Sequence, residues 1–128
     1  MVVTAWLVVN VGLPPTEALP RVELVSAARM SEVRRDQRDV HASYDDVDGV
    51  IYLSEGWSAA SPAHVSILVH ETVHHLQNVA GLTYACPQER ERVAYEAQAL
   101  WLEMLERNLA DEFDIDPMTR LVLTTCMH

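Results

Sequence analysis

The chain has 128 residues, 49% of them hydrophobic and 22% charged, with 19 acidic against nine basic side chains. A formal charge of −10 argues against the basic face that nucleic-acid binding requires. The length predicts one domain over residues 1–128, and no apolar run reaches the roughly 18–20 residues of a membrane span.

The first stretch, MVVTAWLVVNVGLPP, is apolar and reads as a packed first helix or strand. Its first cation is Arg21, so it lacks the basic start of an export signal. The chain is expected to be soluble, with the compartment open between cytoplasm and export. The Pro-rich segment Gly12–Pro20 breaks the pattern. Val22–Ser26 reads as a short strand and Ala27–Asp36 as a short helix. Val40–Tyr44 and Val50–Leu53 read as strands. Between them lies DDVDG, which predicts a hairpin turn. Its aspartates faintly resemble a calcium loop, but the other ligands and the bidentate Glu are missing.

Two long helices follow. The first is bounded by Ser61 as N-cap, Pro62 in the first turn and Gly81 at the C-terminal end. Val65, Leu68, Val69, Thr72, Leu76 and Val79 recur along it at helical spacing. The second runs from near Pro87 to about Leu109, with Val93, Ala97, Leu100, Trp101, Met104 and Leu105 as its apolar stripe. Asp116 and Pro117 then cap a short last helix. Strands first and helices later predict an α+β domain. Its small, mostly antiparallel sheet should pack on the two long helices. Cys86 and Cys126 can form one bridge or remain two core thiols.

Within the first long helix, His70-Glu71-Thr72-Val73-His74 is an H-E-x-x-H motif. Residues four apart share a helix face, so both imidazoles can converge on one ion. Glu71 is rotated by roughly 100° from His70. It is therefore placed to reach a water on that ion, as a general base must. Zinc is the expected ion, because it lowers the pKa of bound water toward about 7. His75 points away from the ligand pair. It is read either as a surface histidine or as a substrate contact. Gln77 can bond a neighbouring element.

A catalytic zinc needs a third protein ligand and an open position. Residue 80 is Ala and no histidine follows before His128, so a carboxylate of the second helix is expected. Glu91 lies at the border of the apolar arc, beside Gln98 and Tyr95. Glu89 faces the charged side. Glu96, at the arc's other edge, is the second choice.

Together, His70-Glu71-x-x-His74 and Glu91-x-x-Ala94 resemble the gluzincin branch of the zincin metallopeptidases. GVIYLSEGW also resembles the edge strand that aligns substrate in that family. The resemblance spans about Val40 to Leu105. It implies a minimal zincin-like domain with Zn2+ held by His70, His74 and Glu91, and Glu71 as base. The substrate is then a peptide or protein, its backbone paired with Ile51, Tyr52 and Leu53, and His75 lining the cleft. The Asp that gluzincins often carry four residues after the ligand Glu is Tyr95 here. Tyr95 is read as an orienting group, an oxyanion donor or a core residue. Little chain remains to complete a cleft, so the cleft is open and shallow or completed by a second copy. The competing expectation is a non-catalytic zinc domain that binds a protein partner.

Overall fold

A computed structural model describes residues 2–33 and 41–126. In chain order the elements are α1 (Val2–Val11), β1 (Arg21–Val25), α2 (Ala27–Val33), β2 (Ala42–Asp45), β3 (Val50–Ser54), α3 (Pro62–Val79), α4 (Pro87–Met104), α5 (Leu109–Phe113) and α6 (Pro117–Thr124). The expected α+β class is the class found. The tail of the expected helix at residues 34–36, Val40 of the expected strand, and His128 lie outside the described residues.

The hairpin forms where the Asp-rich turn places it. Asp45 accepts from the backbone N–H groups of Val47 (2.8 Å) and Asp48 (3.1 Å), which closes the turn. Gly49 takes a left-handed φ of 67° that a β-branched residue would resist. The sheet is mixed. β2 runs antiparallel to β3, while β1 pairs parallel to β3 on its other side, giving the order β1-β3-β2. β3 is thus the central strand. Its side chains alternate between two cores. Ile51 and Leu53 pack with Ala42, Tyr44 and Ile67, and Val50 and Tyr52 pack with Met30 of α2.

α3 starts as its sequence dictates. The Ser61 side chain accepts from the His64 N–H, and Pro62 occupies the first turn. Gly81, at φ 67°, follows the C-cap Ala80. α4 stops at Met104, earlier than the expected Leu109. Glu106 turns left-handed at φ 59°, and Asn108 caps a separate helix by accepting from the Asp111 N–H. One apolar cluster joins α1, α3 and α4 through Val3, Leu7, Leu13, Val69, Val73, Leu76, Ala94 and Ala97. Each buried Val or Leu there contributes about 1.5–3 kcal/mol, so this cluster is what holds the two long helices together. Among the described residues, no helix is long and apolar enough to cross a membrane.

Cys86 and Cys126 are bonded, with Cα atoms 5.8 Å apart and a sequence separation of 40. This settles an alternative that spacing alone left open. Cys86 is the N-cap of α4 but makes no capping bond with its side chain. The bridge instead ties the start of α4 to the end of α6. Closing a loop of that length removes unfolded-state entropy worth about 4 kcal/mol. Replacing both cysteines with Ser is expected to lower unfolding free energy by a few kcal/mol. A urea titration with an unmoved midpoint would contradict this.

Candidate metal centre

The site is built on the facing sides of α3 and α4. The two helices run antiparallel, since Gln77 bonds residue 90 near the start of α4 while Ser66 bonds residue 98 further along. His70 and His74, one turn apart on α3, are buried to 7% and 6% exposure. Their Nε2 atoms approach the same carboxylate oxygen, Oε2 of Glu91 on α4, at 2.8 and 3.0 Å. One ligand atom from each of the three residues lies within 4.8 Å of the others.

The opposite ring nitrogens are held by two glutamines. His70 Nδ1 lies 2.9 Å from Gln98 Oε1, and His74 Nδ1 lies 2.9 Å from Gln77 Oε1. The amide orientations follow from their other bonds. Gln77 Nε2 donates to the Arg90 carbonyl (3.0 Å), which can only accept. Gln98 Nε2 donates to Ser66 Oγ (3.2 Å), whose own proton goes to the Ala63 carbonyl (2.6 Å). Both glutamine oxygens therefore accept, and both imidazoles carry a proton on Nδ1.

That tautomer decides what the centre can hold. In a neutral imidazole protonated at Nδ1, the Nε2 lone pair is exposed. Two such lone pairs and a carboxylate oxygen aimed at one point repel unless a positive charge sits among them. Protonating both rings at Nε2 meets the demand; a cation does so without charging the rings. Burial alone would raise the Glu91 carboxyl. With the rings protonated at Nε2, the hydrogen bonds and attraction of His70, and then of His74, outweigh burial and hold it well below the usual carboxylate range. Two imidazole nitrogens and one carboxylate oxygen are a donor set that zinc accepts. The residues present fit that ion.

Glu71 is buried at 6% exposure and lines a cleft of about 110 Å³ together with His74, Glu91, Arg90, Asp46 and residues 42–44 of β2. The roughly 100° offset from His70 places it on the cleft wall beside the ligands.

The family model described as Domain of unknown function (DUF6647) matches residues 1–127. The chain belongs to this family. No curated protein and no solved structure matches it.

The DUF6647 chain brings together the residues that helix geometry selects and separates others. His70, His74 and Glu91 converge, whereas Glu96 is exposed on the far side of α4. Tyr95 stands edge-on to His70, with ring centroids 4.6 Å apart. It is buried with Ala99, Leu102, Leu109 and Ile115 and is not among the cleft-lining residues. The group that holds His70 Nδ1 is Gln98.

The expected substrate strand is corrected. Ile51, Tyr52 and Leu53 belong to the central strand, bonded on both sides and at most 6% exposed, so they cannot receive a substrate backbone. The strand that walls the cleft is β2. His75 is neither a surface residue nor a cleft residue. At 3% exposure it donates from Nε2 to the Ala18 carbonyl (2.5 Å), and its Nδ1 accepts from the Tyr44 hydroxyl (2.8 Å). It ties the segment before β1 to Tyr44 of β2.

Sequence reasoning missed the roles of Gln98, Arg90 and Asp46. Gln98 was visible in principle, seven residues after Glu91 and so on the same face of α4. Gln77 does bond a neighbouring element, as its position one turn after His74 allowed.

Proposed function

We propose that this member of the DUF6647 family is a zinc-dependent peptidase. The observation that carries this reading is the convergence of two Nδ1-protonated imidazoles and the Glu91 carboxylate, with a further carboxylate, Glu71, on the wall of the same cleft. A structural zinc needs no such extra carboxylate; hydrolysis does.

When bound, zinc would supply Lewis acidity toward a peptide carbonyl and a water of lowered pKa. His70, His74 and Glu91 would hold it. Gln98 and Gln77 keep each Nδ1 protonated, so each Nε2 stays available as a donor. The substrate segment lies along the wall formed by Ser43 and Tyr44. Glu71 takes a proton from the attacking water and delivers it to the leaving amine nitrogen. The C–N bond breaks, leaving a carboxylic acid and an amine.

A non-catalytic zinc domain is the second reading. It is favoured by the small size of the cleft, about 110 Å³. Metal analysis and a diverse peptide library decide between them. The peptidase reading expects about one zinc per chain and cleavage that a chelator stops and added zinc restores. Zinc binding with no cleavage across the library would leave only the second reading.

A further inference from the structure

We propose that Asp46, on the turn between β2 and β3, is a positioning residue for the metal centre, acting through Arg90. The inference rests on the reading of His70, His74 and Glu91 as metal ligands.

Asp46 receives both terminal nitrogens of Arg90, Nη2 at 2.5 Å on Oδ1 and Nη1 at 3.1 Å on Oδ2. This fork geometry fixes the guanidinium in direction as well as place. The turn is itself anchored, because Asn78 Nδ2 of α3 donates to the Asp46 carbonyl at 2.8 Å. Arg90 immediately precedes Glu91 on α4.

From Arg90 the bonds close a ring around His74. Arg90 Nη2 donates to the His74 carbonyl (3.3 Å). The His74 Nδ1 proton goes to Gln77 Oε1 (2.9 Å), and Gln77 Nε2 donates back to the Arg90 carbonyl (3.0 Å). Side chain and backbone of Arg90 thus grip the same histidine from two directions. The ring fixes the depth of α4 against α3 at the turn that carries both His74 and Glu91. Asp46 joins this network from the turn between β2 and β3, and it also lines the cleft. A group entering along β2 therefore meets the residue that sets the spacing of the ligands.

An ion pair this exposed, 28% for Arg90 and 37% for Asp46, has little hold on the fold as a whole. The apolar cluster of α1, α3 and α4 does that work. The effect of Asp46 belongs to the geometry of the centre.

The test measures zinc affinity of the full chain by competition with a chromogenic chelator, and the visible absorption of the cobalt-substituted protein. Metal-free thermal melts and exchange of the His74 Nδ1 proton by NMR accompany these. Asp46→Asn is expected to weaken zinc binding about tenfold, the scale of losses from supporting residues around metal ligands. It should also shift the cobalt bands and speed His74 Nδ1 exchange, with the metal-free melt unchanged. Asp46→Glu should recover most of the affinity, and Arg90→Gln should reproduce the Asn result.

Unchanged affinity and cobalt spectrum in Asp46→Asn would overturn the proposal while leaving the metal centre intact. A melt that falls in step with affinity would overturn it as well, by making the pair a purely structural link. Wild type that binds neither zinc nor cobalt would overturn the metal reading itself.

Discussion

Glu71→Gln is expected to keep its zinc and lose peptide cleavage. The amide is nearly the shape of the carboxylate, so the buried position stays filled. It cannot take a proton from water. Glu71 lies on the cleft wall and is not one of the three converging ligands, so removing its charge leaves the donor set complete. General acid–base groups contribute about 10²–10⁴ in rate, and kcat should fall by that factor with KM little changed. Parallel metal analysis and cleavage assays check it. Activity within a few-fold of wild type would remove Glu71 from the chemistry. Loss of zinc would instead make it a ligand.

Glu91→Ala is expected to strip the metal, and Glu96→Ala to leave it. Glu91 Oε2 is the atom that both imidazoles face, whereas Glu96 projects from the exposed side of α4. Removing a direct ligand should cost more than the 10–100-fold that supporting residues cost. The carboxyl also leaves a signature in the metal-free chain. Its folded-state pKa lies below the ordinary 4.5, so it stabilises the fold above that value. The contribution is lost as pH falls further. Acid unfolding of metal-free Glu91→Gln should accordingly show a shallower slope below about pH 4.5 than wild type. The reverse pattern, zinc lost from Glu96→Ala and kept in Glu91→Ala, would exchange the two residues.

The convergence of His70, His74 and Glu91 was legible because its determinants are local. Ser61 and Pro62 fix where α3 begins, the four-residue spacing fixes the face shared by His70 and His74, and the apolar arc of α4 places Glu91 at its border. The strand order was not legible, because it depends on a long-range pairing. Val50–Leu53 looks like one arm of a hairpin whose outer side is free. Only when β1 returns parallel on that side does β3 become central. A clue lay in the composition. VIYL is apolar without interruption, as a strand buried on both faces requires, while ASYD alternates. His75 gave no clue at all, since its partner is the Ala18 carbonyl, 57 residues away. The two glutamines were visible as residues, but not as the groups that settle the tautomers. That role follows only from the bonds on their other ends.

The three candidate ligands and the two glutamines that hold the imidazoles all sit between His70 and Gln98, on one pair of helices joined by a short connector. The sheet contributes a wall and, through Asp46, a brace. His74 and Glu91 are separated by only 17 positions, so bringing them together is a local event, and local contacts form early in folding. Doubling that separation would add only about 0.6 kcal/mol of closure entropy. The short connector therefore does little for affinity. What it governs is the order of events: a helical hairpin can assemble its own donor set before the strands have found their partners.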